Sequence, residues 1–158
     1  MIVVSDTSPL NYLILCRCAE LLEQLYGRVC VPRAVLSELQ SSDAPSGVQK
    51  WAAKPPGWLE VHEVPDPDLS LKLDPGERDA ITLAERIGAD LVLLDERKGR
   101  ASARSRGLMV VGTLGVLEAA AGHGLVDLPA ALLRLQQTSF RAPAKLLREM
   151  LERQRKRQ

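Results

Sequence analysis

The chain of 158 residues is 46% hydrophobic and 26% charged, and it carries a net charge of +1. This composition is typical of one soluble globular domain, and the near-neutral charge excludes a general electrostatic attraction to nucleic acid or membrane. The apolar stretch at residues 9–16 is too short to span a membrane and follows no basic leader, so we expect a cytoplasmic protein without membrane association. The cysteines form no CxxC pair and no recognisable zinc motif, so we expect inert thiols at Cys16, Cys18 and Cys30.

Short apolar runs alternate with amphipathic stretches along the chain, which predicts a parallel sheet covered by helices on both faces. A strand is predicted at residues 2–5, and one helix follows, with Ser8 as its N-cap and Gly27 at its end. The other predicted strands are residues 28–31, 58–61, 91–94 and 108–111. The other predicted helices are residues 32–39, 48–53, 75–88, a basic helix ending at residue 107, 113–121, 129–135 and 142–155. We divide the chain into a domain of residues 1–140 and a C-terminal helix with a disordered basic tail, residues 141–158.

Two predicted strands are followed directly by an aspartate, Asp6 and Asp95. Ligands of an open α/β sheet bind outside the carboxyl ends of the strands, where the strand order reverses. If the two strands are neighbours at that point, the two carboxylates converge. Anions held that close require a cation, and the hard ions Mg²⁺ and Mn²⁺ prefer oxygen ligands. Either aspartate alone is equally well explained as a helix N-cap.

Helix phase selects further acids for the same edge of the sheet. Glu77 lies near the sheet-facing stripe of its helix and in the first turn, where the helix dipole favours a carboxylate. Asp79 falls off that stripe and is a candidate for the rim, while Glu38 borders the apolar side of the preceding helix. Alone, Glu77 is also explained by the helix dipole, and Glu38 by an ordinary solvated helix surface. The predicted catalytic set is Asp6, Glu38, Glu77 and Asp95, with Asp79 added as a metal ligand.

Basic residues follow Asp95 closely and open the next helix beside the proposed metal. Such a cluster would hold the phosphates that flank a scissile one, or would form a solvated helix face. A hydroxyl just beyond Asp6 could also contact a phosphate or a metal-bound water. With aromatics at 3% and scattered, the sequence offers no obvious platform for base stacking. The predicted substrate-binding residues are Thr7, Ser8, Arg97, Lys98, Arg100 and Arg104.

Four spaced motifs resemble those of the PIN-domain family: SDTSPL at residues 5–10, VLSEL at 35–39, PGERDAI at 75–81 and LDE at 94–96. The resemblance implies a three-layer α/β/α fold with a central parallel sheet of about five strands in the order 3-2-1-4-5. It also implies a metal-dependent endoribonuclease whose acidic pocket contains Asp6, Glu38, an acid from residues 77–79, and Asp95. The motif leaves the choice between Glu77 and Asp79 open. Glu96 stands where a second aspartate is common, so its role is open as well.

The run GLMVVGTLGVL at residues 107–117 resembles a PIN subfamily that supplies the toxin of VapBC-type toxin–antitoxin pairs. Membership would imply a protein antitoxin and a homodimer, for which the apolar helices at residues 13–25 or 114–117 could supply the interface. An RNA-processing nuclease without an antitoxin and a non-catalytic interaction module are the alternatives. A receiver-type signalling domain would need a lysine after a late strand, where Gly112 and Thr113 stand instead.

Overall fold

The computed structural model describes all 158 residues, and the chain alternates five strands with nine helices. In chain order they are β1 (Val3–Ser5), α1 (Thr7–Leu15), α2 (Leu21–Tyr26), β2 (Val29–Pro32), α3 (Arg33–Gln40), α4 (Ser46–Ala53), β3 (Leu59–His62), α5 (Pro75–Ile87), β4 (Leu91–Leu93), α6 (Arg97–Ser105), β5 (Val110–Val111), α7 (Thr113–Gly122), α8 (Leu128–Gln136) and α9 (Ala144–Arg157). None of the nine helices combines the length and the hydropathy that crossing a membrane requires.

All five strands are parallel and form one sheet in the order β3-β2-β1-β4-β5. β1 lies at the centre, where Ser5 pairs with Leu93 of β4 and Val4 pairs with Cys30 of β2. The strand order reverses between β1 and β4, so the residues that follow these two strands meet at one edge of the sheet. The predicted three-layer α/β/α fold and its strand order are confirmed.

Two hydrophobic cores enclose the sheet, because successive residues of a strand point to opposite faces. Val3 belongs to the larger core, which α1, α2, α3, α4, α7, α8 and α9 cover. Val4 belongs to the smaller core, which α5 and α6 cover through residues such as Ile81 and Ala103. Burial on both faces explains why the strands are continuous apolar runs and not alternating patterns.

The single helix predicted between Ser8 and Gly27 is wrong. The structure has two helices, α1 and α2, and Arg17 in the link between them has φ of 63°. A β-carbon makes this left-handed conformation uncommon, and apolar periodicity does not reveal it. The helix N-cap is also two residues earlier than expected, since Asp6 occupies it and Ser8 lies inside α1.

The basic tail, predicted to be disordered, continues α9 as far as Arg157. One face of this helix is buried against α7 and α8 through Leu147 and Met150. The Gln154 amide donates to the Ala121 carbonyl at 3.1 Å, which fixes the basic end of the helix against α7. The division of the chain near residue 140 stays a prediction.

Candidate active site

Asp6 follows β1 directly, and the fold buries its carboxyl group at the carboxyl edge of the sheet. Its backbone N–H donates to the Leu93 carbonyl at 3.0 Å, and only 4% of the residue is exposed. The side chain does not cap α1, although Asp6 occupies the N-cap position. Burial, reinforced by the nearby carboxylates of Asp74, Glu38 and Asp95, raises the pKa of Asp6 to about 7. The Asp6 carboxylate is therefore short of compensating positive charge.

Asp95 lies just beyond β4, and three hydrogen bonds fix its carboxylate. The Thr113 N–H donates to Oδ1 at 2.7 Å, and the Thr113 hydroxyl donates to Oδ2 at 2.7 Å. The Ser8 hydroxyl also donates to Oδ2, at 2.9 Å. A Cβ atom at Gly112 would lie 2.9 Å from Oδ1, so the close approach of this carboxylate requires glycine there. These contacts fix the orientation of the Asp95 carboxylate, whose charge helps to raise the pKa of Asp6.

The start of α5 brings Glu38 of α3 close to Asp6. A Cβ atom at Gly76 would lie 2.5 Å from Glu38 Oε1 and 3.1 Å from Asp6 Oδ1. Asp74 begins the helix as its N-cap, where its Oδ1 accepts from the Glu77 N–H at 3.0 Å. Burial raises the pKa of Glu38, while the nearby Thr7 hydroxyl and Gly76 N–H oppose the rise. The acids of β1, α3 and α5 therefore share one small region.

Glu77 and Asp79 differ in their position relative to the cleft that contains the other acids. Glu77 is 4% exposed, and its carboxyl oxygen lies within 4.8 Å of ligand oxygens on Asp74 and Glu96. Burial, followed by the hydrogen bond with Glu96, raises the pKa of Glu77 to about 9. Asp79 is also buried, but its Oδ1 accepts from Arg78 Nε at 2.9 Å. Of the two, only Glu77 lines the cleft that the other acids share.

A cleft of about 800 Å³ contains this carboxylate cluster. Three of the predicted substrate-binding residues line it, namely Thr7, Ser8 and Arg100. The other three, Arg97, Lys98 and Arg104, are exposed on α6 outside the cleft wall. The acidic side chains in the wall are Asp6, Glu38, Asp74, Glu77, Asp95, Glu96 and Glu118.

The family comparison agrees with this geometry. A family model described as a PIN domain matches residues 2–156. The chain belongs to the PIN-domain family. PIN domains have the fold of metal-dependent nucleases, which use divalent metal ions and act on nucleic acid. No curated protein and no solved structure matches the chain.

The residues of this PIN domain fit a hard divalent cation. The cleft wall contains seven carboxylates and no cysteine or histidine, so its donor set is oxygen alone. Burial is the main cause of the raised pKa values of Asp6 and Glu77, and repulsion by the neighbouring carboxylates adds to it. The Thr7 Oγ1 is buried without a hydrogen-bond partner of good geometry, although it lies near Glu38. A cation between these groups would relieve the repulsion.

Sequence reasoning missed two residues of the PIN-domain site and left one open. Asp74 is absent from the predicted site residues, although an aspartate directly before Pro75 is a helix N-cap signal that places it beside Glu77. Thr113 is absent from them as well, yet it holds Asp95 with two hydrogen bonds. Glu96, whose role was open, lies against Glu77.

Proposed function

We propose that this PIN domain is a Mg²⁺- or Mn²⁺-dependent endoribonuclease, and that it is the toxin of a toxin–antitoxin pair. The observation that carries the nuclease proposal is the convergence of acids from four separate elements in one cleft. Glu38 and Asp6 approach the same point at Gly76, and Asp95 adds its charge to theirs. Hydrogen bonds that orient Asp95 without neutralising it favour a metal ligand over a simple helix cap.

Each acid has a distinct proposed task. Asp6 and Asp95 follow strands of the rigid sheet, so they are the best-fixed metal ligands. Glu38 and Glu77 complete the ligand set or position the attacking water, while Asp79 is held by Arg78 and contributes charge only. The bound ion would supply an activated water and would stabilise negative charge on the phosphoryl oxygens. Burial and the neighbouring Glu96 raise the pKa of Glu77, so its carboxyl group would release a proton on binding a cation.

Arg100 is the proposed contact for the substrate phosphate. A Cβ atom at Gly112 would lie 3.0 Å from its Nη1 and 2.9 Å from Asp95 Oδ1, so the guanidinium stands beside the acids. Arg97 and Arg104 lie three and four positions away on α6, on the same helix face, and extend this basic strip toward solvent. Lys98 adds charge next to it. The Thr7 hydroxyl, which is buried and has no hydrogen-bond partner, could also contact the substrate.

The decisive experiment is cleavage of a mixed RNA pool by the wild-type protein and by Asp6→Asn, in Mg²⁺, Mn²⁺ or EDTA. Asparagine keeps the shape of the side chain and removes its charge. We expect cleavage only with metal, and only by the wild type. Asp127→Asn, which changes an exposed aspartate outside the cleft, is the matched control and should cleave normally. Equal cleavage by Asp6→Asn would contradict the proposal, and cleavage by neither protein would favour a non-catalytic interaction module.

The toxin proposal has its own test. Expression of the wild type should arrest growth, while Asp6→Asn should not, and co-expression of a neighbouring protein antitoxin should restore growth. Metal-dependent cleavage without growth arrest would identify an RNA-processing nuclease instead.

A homodimer is part of the same proposal, with the helices at residues 13–25 or 114–117 as its candidate interface. Leu13, Leu22 and Leu117 are fully buried in the monomer, so a second copy would contact the half-buried side chains of these helices, such as Ile14, Leu25 and Leu114. The molar mass in solution, measured by light scattering, tests the dimer directly.

A further inference from the structure

The cleft has an apolar wall beyond its acids. The rings of Tyr12 in α1 and Phe140 after α8 pack edge to face, with centroids 5.0 Å apart and an angle of 79° between their planes. Leu114 of α7 and Leu146 of α9 line the same cleft, and Leu146 is 37% exposed. We call these four residues the aromatic wall. Both rings are half-buried, so part of each surface faces the space that continues from the acids.

The aromatic wall is held in place by the chain around it. The Tyr12 hydroxyl lies 3.0 Å from the Ser139 hydroxyl, one residue before Phe140. Phe140 is itself anchored, because its N–H donates to the Thr138 hydroxyl at 3.1 Å. The two rings therefore present a fixed surface without having to be ordered when a ligand binds.

Free positive charge lies along the same cleft. Arg141 follows Phe140 and is exposed, and its only hydrogen bond is a long one, 3.4 Å, to the Phe140 carbonyl. Arg153, by contrast, is neutralised by two hydrogen bonds to Glu118 at 2.7 and 2.9 Å. Arg100 and Arg141 thus offer two unpaired guanidinium groups, one beside the acids and one beside the aromatic wall.

The distance between the acids and the aromatic wall suits one or two nucleotides. The Ser8 hydroxyl contacts Asp95, and Tyr12 lies four residues further along α1 on the same helix face, which corresponds to an axial distance of about 6 Å at 1.5 Å per residue. A chain of alternating anionic phosphates and flat apolar bases matches alternating guanidinium and aromatic groups. A folded duplex would keep its bases stacked and would not reach the rings.

We propose that the aromatic wall is a binding site for an unpaired nucleobase of single-stranded RNA, one or two nucleotides from the phosphate at the acids. This inference rests on the proposed nuclease function and adds a basis for substrate selection that charge alone does not provide. Base stacking on Phe140 and Tyr12 contributes affinity, and Arg141 binds the adjoining phosphate.

The test compares the binding of two labelled hexanucleotides by fluorescence anisotropy in Ca²⁺: hexauridylate and an abasic hexamer of equal charge. Phe140→Leu keeps an apolar side chain and removes the ring. We expect it to weaken hexauridylate binding about tenfold, in line with the energy of base–aromatic stacking, and to leave the abasic hexamer unchanged. Tyr26→Leu, which removes a half-buried ring outside the cleft, should change neither affinity.

The proposed base site would be refuted if Phe140→Leu weakened the binding of both hexamers equally, or weakened the binding of neither. If Phe140→Leu does not fold, Leu146→Gln replaces it, because that partly exposed side chain can change without opening the core. Wild-type protein that cleaves RNA but shows no preference for hexauridylate over the abasic hexamer would refute the base site alone. Failure of the wild type to bind either hexamer would refute both this inference and the RNA substrate.

Discussion

Gly76 of α5 lies so close to Glu38 of α3 that a Cβ atom at position 76 would stand 2.5 Å from Glu38 Oε1. Gly76→Ala must therefore displace Glu38, and it also approaches Asp6 Oδ1, where the distance would be 3.1 Å. Displacing a carboxylate from a metal site costs roughly 10- to 100-fold in affinity, by comparison with changes next to metal ligands. We expect a loss of this size in Mn²⁺ affinity measured by calorimetry.

Gly47→Ala is the matched control for Gly76→Ala. Both glycines are the second residue of a helix, but a Cβ atom at Gly47 has nothing within 4 Å. We expect Gly47→Ala to leave Mn²⁺ affinity unchanged and to stabilise the fold by up to about 1 kcal/mol, since alanine favours helices. Wild-type Mn²⁺ affinity in Gly76→Ala would show that Glu38 is not a ligand.

The metal-free protein should lose stability as the pH rises. The pKa of Asp6 is raised to about 7 and that of Glu77 to about 9, so the folded state binds these protons more tightly than the unfolded chain. The stability that these two protons contribute is then fully present below about pH 4, near the unfolded pKa values, and is lost as the pH rises through 7 and toward 9. For Asp6 alone the loss between pH 5 and 8 is about 3 kcal/mol.

Urea unfolding in EDTA at pH 5, 6.5 and 8 measures this loss. Asp6→Asn removes one of the two groups and should make the pH dependence shallower. Saturating Mg²⁺ should restore stability at pH 8, because the cation replaces the lost protons. Stability in EDTA that is constant or rises between pH 5 and 8 would argue against the crowding of these acids.

Thr113→Val should weaken the metal site with little change in shape. The substitution removes the hydroxyl that donates to Asp95 Oδ2 and keeps the N–H that donates to Oδ1. Hydrogen bonds to charged groups contribute about 1.5–3 kcal/mol to stability, so we expect the free energy of unfolding to fall by about 1–2 kcal/mol. We also expect Mn²⁺ affinity to fall several-fold.

Thr82→Val separates these two effects. Thr82 is also buried, and its hydroxyl donates to the Arg78 carbonyl and accepts from the Asp68 N–H, outside the cleft. Thr82→Val should lower the free energy of unfolding by about as much as Thr113→Val does, and it should keep wild-type Mn²⁺ affinity. The same Mn²⁺ affinity in both variants would mean that the Thr113 hydroxyl does not position Asp95 for metal binding.

Arg100→Gln should weaken RNA binding and leave metal binding intact. Its guanidinium stands at the cleft beside Asp95, whereas Arg104, one turn further along α6, is exposed outside the cleft. We expect KM for RNA to rise about 5- to 10-fold in Arg100→Gln, with kcat nearly unchanged. The slope of log affinity against log salt should fall by about 1, as one phosphate contact is lost. An equal rise in KM for Arg104→Gln would indicate diffuse attraction by α6 as a whole.

The fold and the centre of the site could be predicted because they depend on local patterns. Buried parallel strands are continuous apolar runs, and a carboxylate at the end of such a run stands out in the sequence. Helix phase likewise assigned Glu77 to the inner face of α5. These signals involve only a few neighbouring residues, so one sequence is enough to read them.

Contacts between distant residues could not be predicted in this way. Ser8 was expected to cap a helix, but its hydroxyl reaches Asp95, 87 positions away. Tyr12 and Phe140 were counted as scattered aromatics, yet they form one edge-to-face pair. Such pairs depend on the angles at which helices pack on the sheet, and no local pattern encodes those angles.

The same limit applies to the cysteines, for which no partner was expected. The pairing of β2 with β3 brings the thiol of Cys30 within 4.8 Å of ligand atoms on Glu60 and His62. In the sequence these residues are about thirty positions apart, and only the strand register places them together.

The central position of β1 affects when the site can exist during synthesis. Ser8 leaves the ribosome early, but Asp95 follows 87 positions later and Thr113 a further 18. At 5–20 residues per second, roughly 5–20 s pass before the ribosome has added Asp95. A nascent chain therefore carries only part of its carboxylate cluster, and the complete set of acids comes together only after most of the domain has been made.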